Sequence, residues 1–503
     1  MRGLFTRKPI AELRDDEDPS PHALKRSLGA WDLIFLAIGA VIGAGIFSSI
    51  GTAIAGEVTP AGEVVRYGAG PAVVVSFLLL GVVCGLAALC YAELASMIPH
   101  AGSAYAYAYA TLGELIAWII GWDLVLEYAV GNVAVAIAWA GYLDSLLSGI
   151  GIHIPPWLVH GYFDVAASSD PTVHGLLTSA PHLAGVPILI NLPAFLVVAA
   201  VTGLLVFGAK ESARANAVMV GIKLLVLGLF VVVGATHVDP AHYTPFAPNG
   251  WTGIHQGAAI VFFAYIGFDA ISTAAEETRN PQRNMPIGIL GGLAICTVIY
   301  VIVGIVMTGL APWESMRVPD PLAHALETAG LPVVQWLVSA GAVVSITAVL
   351  LVFQYGQPRI LLGMARDGLL PKRLAGVHPR FKTPWTLTIL TGILVGVGAL
   401  FADDDATYDL TNIGTLFAFL LVCVGVMVLR VVDPSRVRPF RVPFVWVIAP
   451  LGAAACVWTM AGLPTSAWIR FAVWLAIGIV LYFAYGYRHS VLRRRAASDQ
   501  APT

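Results

Sequence analysis

The chain has 503 residues, 58% of them hydrophobic and only 12% charged, with a formal net charge of −2. A soluble domain carries about 25% charged residues, so much of this surface faces no water, and the near-neutral balance gives no basis for nucleic-acid binding. Cys84, Cys90, Cys296, Cys423 and Cys456 all lie in apolar runs, which reads as small core side chains and not as a disulfide framework.

The first 27 residues are polar, so no cleavable signal peptide is expected and the first apolar run should insert as a true span. Stretches of about 20 apolar residues cross a ~30 Å hydrocarbon core. Twelve are predicted, near 31–50, 71–96, 114–142, 187–208, 214–236, 253–276, 287–309, 330–355, 384–401, 408–430, 444–463 and 466–487. With the N-terminus inside, 24 of the 28 lysines and arginines fall on the inner side; Arg66, Arg317 and Arg470 fall outside, and Lys223 lies within a span. Positive charge collects on the cytoplasmic side of membrane proteins, so both termini are expected to be cytoplasmic and the location to be the plasma (inner) membrane.

Taken in chain order, the first span reads AIGAVIGAGIFSS (37–49), with glycine at 39, 43 and 45. Glycine costs ~1 kcal/mol in a helix interior, and irregular backbone at membrane depth survives only where it lines a cavity. If the helix unwinds at Gly43, Ala44 and Gly45, the amides of Ala44, Gly45 and Ile46 open the outer half-helix, a terminus suited to a carboxylate. The carbonyls of Val41 and Ile42 close the inner half and suit an ammonium. The competing reading is that Gly39 and Gly43 form a close helix-packing motif.

The outer segments 51–70 and 143–186 contain proline and glycine and almost no basic charge. They are expected to be packed loops over the outer mouth, with Glu57 and Glu63 either attracting cations or, the commoner case, simply solvated. On the third span, Asp123 and Glu127 are spaced i, i+4 and share a face, with Glu127 about 18 Å along it. Glu127 is a candidate proton carrier or pocket wall, or else a hydrogen-bonded structural carboxylate. Lys223 falls about 13.5 Å along the fifth span, close to the midplane, where snorkelling is difficult. It either pairs with a buried carboxylate for structure alone or takes part in coupling.

The sixth span, AIVFFAYIGFDAISTAAEE (259–277), places Gly267 at its middle and Asp269 just beyond. A carboxylate there costs ~2.5–3.5 kcal/mol on the insertion scale. Interruptions in the first and sixth spans are what an inverted five-plus-five repeat produces. Together they offer amides for a carboxylate and carbonyls for an ammonium. Glu93, Glu276, Glu277, Arg279 and Arg283 sit at cytoplasmic ends and read as inner-gate or topology residues.

VIGAGIF (41–47), YAELASMIPHAGSAYAYAY (91–109), FFAYIGFDAISTAAEETRNPQRNMPIGI (262–289), GQPRILLGMARDGLLP (356–371) and RPFRVP (438–443) occur in that order. They resemble the amino acid–polyamine–organocation permease superfamily, nearest its cationic amino acid transporter branch, bacterial members included. The resemblance implies an all-α integral membrane fold of 12 transmembrane helices. These form a LeuT-like 5+5 inverted repeat with broken helices 1 and 6, spanning 31–236 and 253–430. Two C-terminal helices over 444–487 follow, with cytoplasmic tails at 1–30 and 488–503. The segment around 57–70 is longer than that family leads one to expect.

The resemblance further implies that the substrate carboxylate lies on the Ala44, Gly45 and Ile46 amides beside Gly43. The ammonium meets carbonyls of Ile42, Phe263, Ala264 and Ile266, Phe263 acts as a lid, and Ile266 and Asp269 border the side-chain pocket. Lys223 fills the place where sodium-coupled relatives hold a cation, so proton-linked and sodium-independent transport of L-amino acids is expected, with no cofactor or metal. Exchange, facilitation, or a non-transporting sensor stay open. Asp269 fits a cationic side chain or a helix cap equally, while Ile42, Ala44 and Ile266 suit small neutral amino acids. The histidines show no metal-ligand spacing and no phosphate loop occurs, so no enzyme is expected. The sequence carries no signal for oligomeric state or a small membrane subunit.

Overall fold

The computed structural model describes residues 4–9, 28–98, 103–208, 213–269, 271–272, 274 and 278–498. Glu276, Glu277 and Lys210 lie outside these residues. Helix α1 (Ala30–Val41) starts where the Asp32 carboxylate accepts the Gly29 N–H at 2.8 Å, a cap on its first turn. It stops at Ile42, whose ψ of 105° is extended. The chain restarts as a wide π turn, Gly45–Ser49, and continues as α2 (Ile50–Ala55). The two pieces meet at a 45° bend and together are long and apolar enough to make one span.

A hairpin follows, β1 (Gly56–Val58) with β2 (Val64–Tyr67), paired antiparallel. Next come α3 (Val73–Met97), α4 (Ser103–Thr111) and α5 (Glu114–Val125), which runs through a π turn at Leu126–Val130 into α6 (Gly131–Ser148). Helix α7 (Tyr162–Ala167) belongs to a small outer cluster built on Val165, Ala180 and Leu189. Then come α8 (Leu192–Val206), α9 (Ala213–Gly234) and α10 (Gly250–Val261). They are followed by α11 (Pro281–Leu310), α12 (Pro321–Thr328) and α13 (Pro332–Arg366). The chain ends with α14 (Trp385–Phe401), α15 (Asp404–Val432), α16 (Val445–Met460), α17 (Thr465–Leu481) and α18 (Val491–Ser498).

Among the described residues seven helices are long and apolar enough to cross a bilayer, and the bent first pair makes an eighth; α8, α14 and α16 are apolar but shorter. The chain is a multi-pass membrane protein. Many large apolar side chains remain exposed on these helices, such as Leu225, Val232 and Trp446, as lipid-facing surfaces require. The dominant packing partners are α3 with α11, α1 with α11, α15 with α16, α6 with α13, α8 with α14 and α9 with α13. Two outer segments depart from the expected loops: 51–55 completes α2, and 56–67 is a hydrogen-bonded hairpin.

Candidate functional site

Helix α10 ends at Val261, tightens into a single 3-10 turn over Phe262–Tyr265, and opens at Ile266, whose ψ is 138°. Gly267 follows with φ +110°, a conformation that disfavours any side chain. Both expected breaks therefore exist, and they face each other. A Cβ on Gly45 would lie 2.6 Å from the Ala264 nitrogen, and one on Gly267 would lie 2.9 Å from the Ala40 carbonyl oxygen. Glycine at 45 and 267 is what lets the two unwound segments approach backbone to backbone.

The opened carbonyls have identifiable donors. Lys223, fully buried on α9, places Nζ 2.7 Å from the Gly39 oxygen and 2.8 Å from the Ile42 oxygen. The Tyr300 hydroxyl on α11 lies 3.0 Å from the Val41 oxygen and 2.8 Å from the Ala264 oxygen. One phenol thus bridges both breaks. The Ile46 and Phe47 amides both donate to the Gly43 carbonyl, at 3.1 and 3.2 Å. The outer half-helix, with Ala44 at its N-cap, consequently begins more tightly wound than an open amide nest. The Phe263 carbonyl receives the Ile266 N–H at 3.4 Å. Carbonyls expected to meet a substrate ammonium are, at Ile42 and Ala264, already engaged by a lysine and a tyrosine.

The walls are apolar and aromatic. Phe263, 5% exposed, stands edge-on to Tyr408 at 4.8 Å, and the Tyr408 hydroxyl lies 3.0 Å from Ser48 Oγ. The Tyr142 hydroxyl donates to the Phe47 carbonyl at 2.5 Å. Ile42, Gly43, Ala44, Gly45, Ile46, Phe263, Ala264, Ile266 and Asp269 are all buried around the facing breaks. Glu127 is buried in the π turn between α5 and α6 and interacts with Thr415 of α15. Asp123, one turn earlier, is buried beside Gly414, and its carboxylate makes no hydrogen bond among the described residues.

Glu93 proves structural in its contacts. Its oxygens take Arg430 Nε at 3.0 Å, Arg430 Nη2 at 2.6 Å and the Val442 amide at 2.7 Å, with Arg438 Nε 3.3 Å away. This clasps α3 to the 438–443 segment. Among the described residues, the carboxylates compact enough to hold an ion are Asp164, Asp403 and Asp404. Asp403 caps the Ala406 amide, Asp404 accepts from the Asp405 amide, and Asp164 pairs with His160. Each is already employed.

Sequence reasoning missed Tyr300, because a tyrosine within an apolar span carries no pattern of its own. It also assigned Glu57 to solvent. Glu57 instead binds Arg66 Nε at 2.8 Å, and burial together with nearby Asp405 raises its carboxyl above the ordinary range, against the lowering pull of Arg66 and Arg317. Glu63 is exposed, as expected.

Two discontinuous helices meet here at buried, glycine-opened backbone within a bundle of apolar spans, an arrangement found in membrane carriers. The profile of the family described as "Amino acid permease" matches residues 28–485. The chain belongs to the amino acid permease family, whose members are transporters and not enzymes. It is 43% identical to a methylthioribose transporter of Bacillus subtilis and 45% identical to a branched-chain amino acid permease of the same organism, each comparison covering 98% of this chain and 100% of the relative. It is also 37% identical to a vacuolar cationic amino acid transporter 4 of Arabidopsis thaliana, over 87% of this chain and 68% of the relative.

Proposed function

We propose that this protein is a secondary active transporter for L-amino acids that works by alternating access, proton-coupled and independent of sodium. The single observation that carries the coupling is the buried Lys223 ammonium on the Gly39 and Ile42 carbonyls. A tethered cation there occupies the inner end of the broken first helix, and its charge is expensive enough at that depth for proton exchange to accompany each cycle. Glu127 is the carboxylate proposed to take part in that exchange.

In this reading the substrate carboxylate lies against the start of the outer half-helix at Gly43, Ala44, Gly45 and Ile46, and its ammonium against the Phe263, Ala264 and Ile266 carbonyls with a share of Ile42. Phe263 closes over it. The apolar walls favour neutral aliphatic side chains, small ones included, and the branched-chain permease relative supports that class. The twelve-span, five-plus-five architecture is supported by the pairing of α3 with α11, α6 with α13 and α8 with α14, elements five spans apart. In this reading both termini lie in the cytoplasm and the protein in the inner membrane.

One relative favours a second reading, since a methylthioribose transporter handles a molecule with neither carboxylate nor ammonium. Thermal-shift competition on purified protein, across the twenty L-amino acids and methylthioribose, separates the two. Stabilisation by alanine, valine, leucine or isoleucine is expected. Stabilisation by methylthioribose alone overturns the amino acid assignment.

A further inference from the structure

The hairpin β1–β2 has no part in the site described so far, yet it carries a buried arginine. Gly56 and Gly62, both at φ +82°, turn the chain at its base and tip, and Glu57 pairs across the strands with Arg66. Arg66 is 3% exposed. Its Nη1 and Nη2 donate to the two oxygens of Asp409 on α15 at 2.9 and 2.6 Å, and its Nε donates to Glu57 at 2.8 Å.

One turn before Asp409, Asp405 accepts from Thr52 Oγ1 on α2 at 2.8 Å and from Arg317 Nη2 at 3.1 Å. Arg317 also lies 3.6 Å from Glu57 and donates to the Val58 carbonyl and Ser169 Oγ, both at 3.3 Å. Five segments are therefore fastened together: the outer half of the broken first helix, the hairpin, the 311–320 segment, the outer loop and α15. Between Asp405 and Asp409 sits Tyr408, which stands edge-on to Phe263 and reaches Ser48. The fastening lies directly on the residues that cover the facing breaks.

We infer that Arg66 is an access-controlling residue of the transport cycle: its bidentate bond to Asp409 holds α15 against the hairpin and the outer half of the first helix, closing the outer mouth. Bidentate guanidinium–carboxylate pairs fix geometry as well as energy, and a buried pair resists the loss of either partner because the other is left charged and dry. Opening outward separates α15 from α2, which breaks Arg66–Asp409 and Thr52–Asp405 together. Water entering the mouth then solvates the freed charges, giving two discrete arrangements rather than a graded one. The inference rests on the transporter reading above.

The test uses the full-length protein in proteoliposomes with Ser48→Cys as a reporter of outer access and a membrane-impermeant thiol reagent outside. Arg66→Gln with Asp409→Asn removes both charges while keeping hydrogen-bonding groups of similar shape. Labelling of the thiol introduced at position 48 is expected to accelerate by about tenfold or more in that background, with net uptake falling. A parent protein that transports while the paired variant folds and labels at the parent rate overturns the gating role and leaves a static staple. Should the paired variant fail to fold, Arg66→Lys, which keeps the charge and loses the fork, carries the same expectation and the same overturning result. A wild-type protein, without the cysteine at position 48, that neither binds nor accumulates any amino acid sinks the transport reading instead, so the two failures are distinguishable.

Discussion

At the scale of single residues the site is a contest for carbonyl oxygens. Unwinding two helices in lipid exposes acceptors that must find donors, and the structure supplies Lys223 to Gly39 and Ile42 and Tyr300 to Val41 and Ala264. Lys223→Ala would strand two carbonyls and remove the charge. Uptake in proteoliposomes is expected to fall by tenfold or more and to lose its dependence on an imposed pH gradient. Unchanged pH dependence would end the coupling role. Tyr300→Phe removes only a hydroxyl, yet each buried acceptor left unmatched costs roughly 1–3 kcal/mol. Apparent substrate affinity is expected to drop by about tenfold, since tenfold is about 1.4 kcal/mol. Equilibrium binding that matches the parent would show that the phenol does not hold the two breaks in register. Lys223 was legible in the sequence because a lysine at that depth is anomalous. Tyr300 was not, because its meaning lies wholly in what its hydroxyl meets across the bundle.

At the scale of elements, the breaks were legible and the outer hairpin was not. Gly43, Gly45 and Gly267 interrupt apolar helices where only a functional backbone opening repays the lost hydrogen bonds. Proline and glycine between 56 and 70 instead suggest a loop, and the residues that fasten the hairpin in place lie far away, at Asp409 and Arg317. The outer cluster around α7 is pinned by a local pair. His160 Nδ1 lies 2.8 Å from the Asp164 carboxylate. Burial lowers its pKa, but the hydrogen bond and charge of Asp164, with Asp144 and Asp170, outweigh this and raise it above the ordinary value of 6.5. A raised histidine contributes stability that is fully present below pH 6.5 and fades as pH climbs through its raised value. Amide hydrogen exchange in 156–167, corrected for intrinsic rates, is expected to be slower at pH 6 than at pH 9, and His160→Gln should abolish the difference. Equal protection at both pH values in the parent would contradict the ion pair.

For the whole molecule, the charge distribution and the site make one linked claim. Basic residues crowd the side that holds Arg430, Arg438 and the 488–495 tail, while the opposite side carries Arg66, Arg317 and Arg470, the first two spent on carboxylates. In the proposed topology the basic face is the cytoplasmic one. Impermeant labelling of single cysteines at Glu63 and Ser435 tests this on intact cells, Glu63→Cys reacting from outside and Ser435→Cys only after permeabilisation. The proposed coupling can be tested at the same scale. With Lys223 tethered to the Gly39 and Ile42 carbonyls, a sodium ion has no charge vacancy to fill at that place, and Coulomb repulsion from the ammonium opposes its entry. Uptake driven by an acid-outside gradient is therefore expected to be the same in sodium, potassium and choline media, and to collapse when a protonophore removes the gradient. Stimulation by sodium of about threefold or more would mean that a second cation shares the inner end of the broken helix, and Lys223 would have to be a structural clasp.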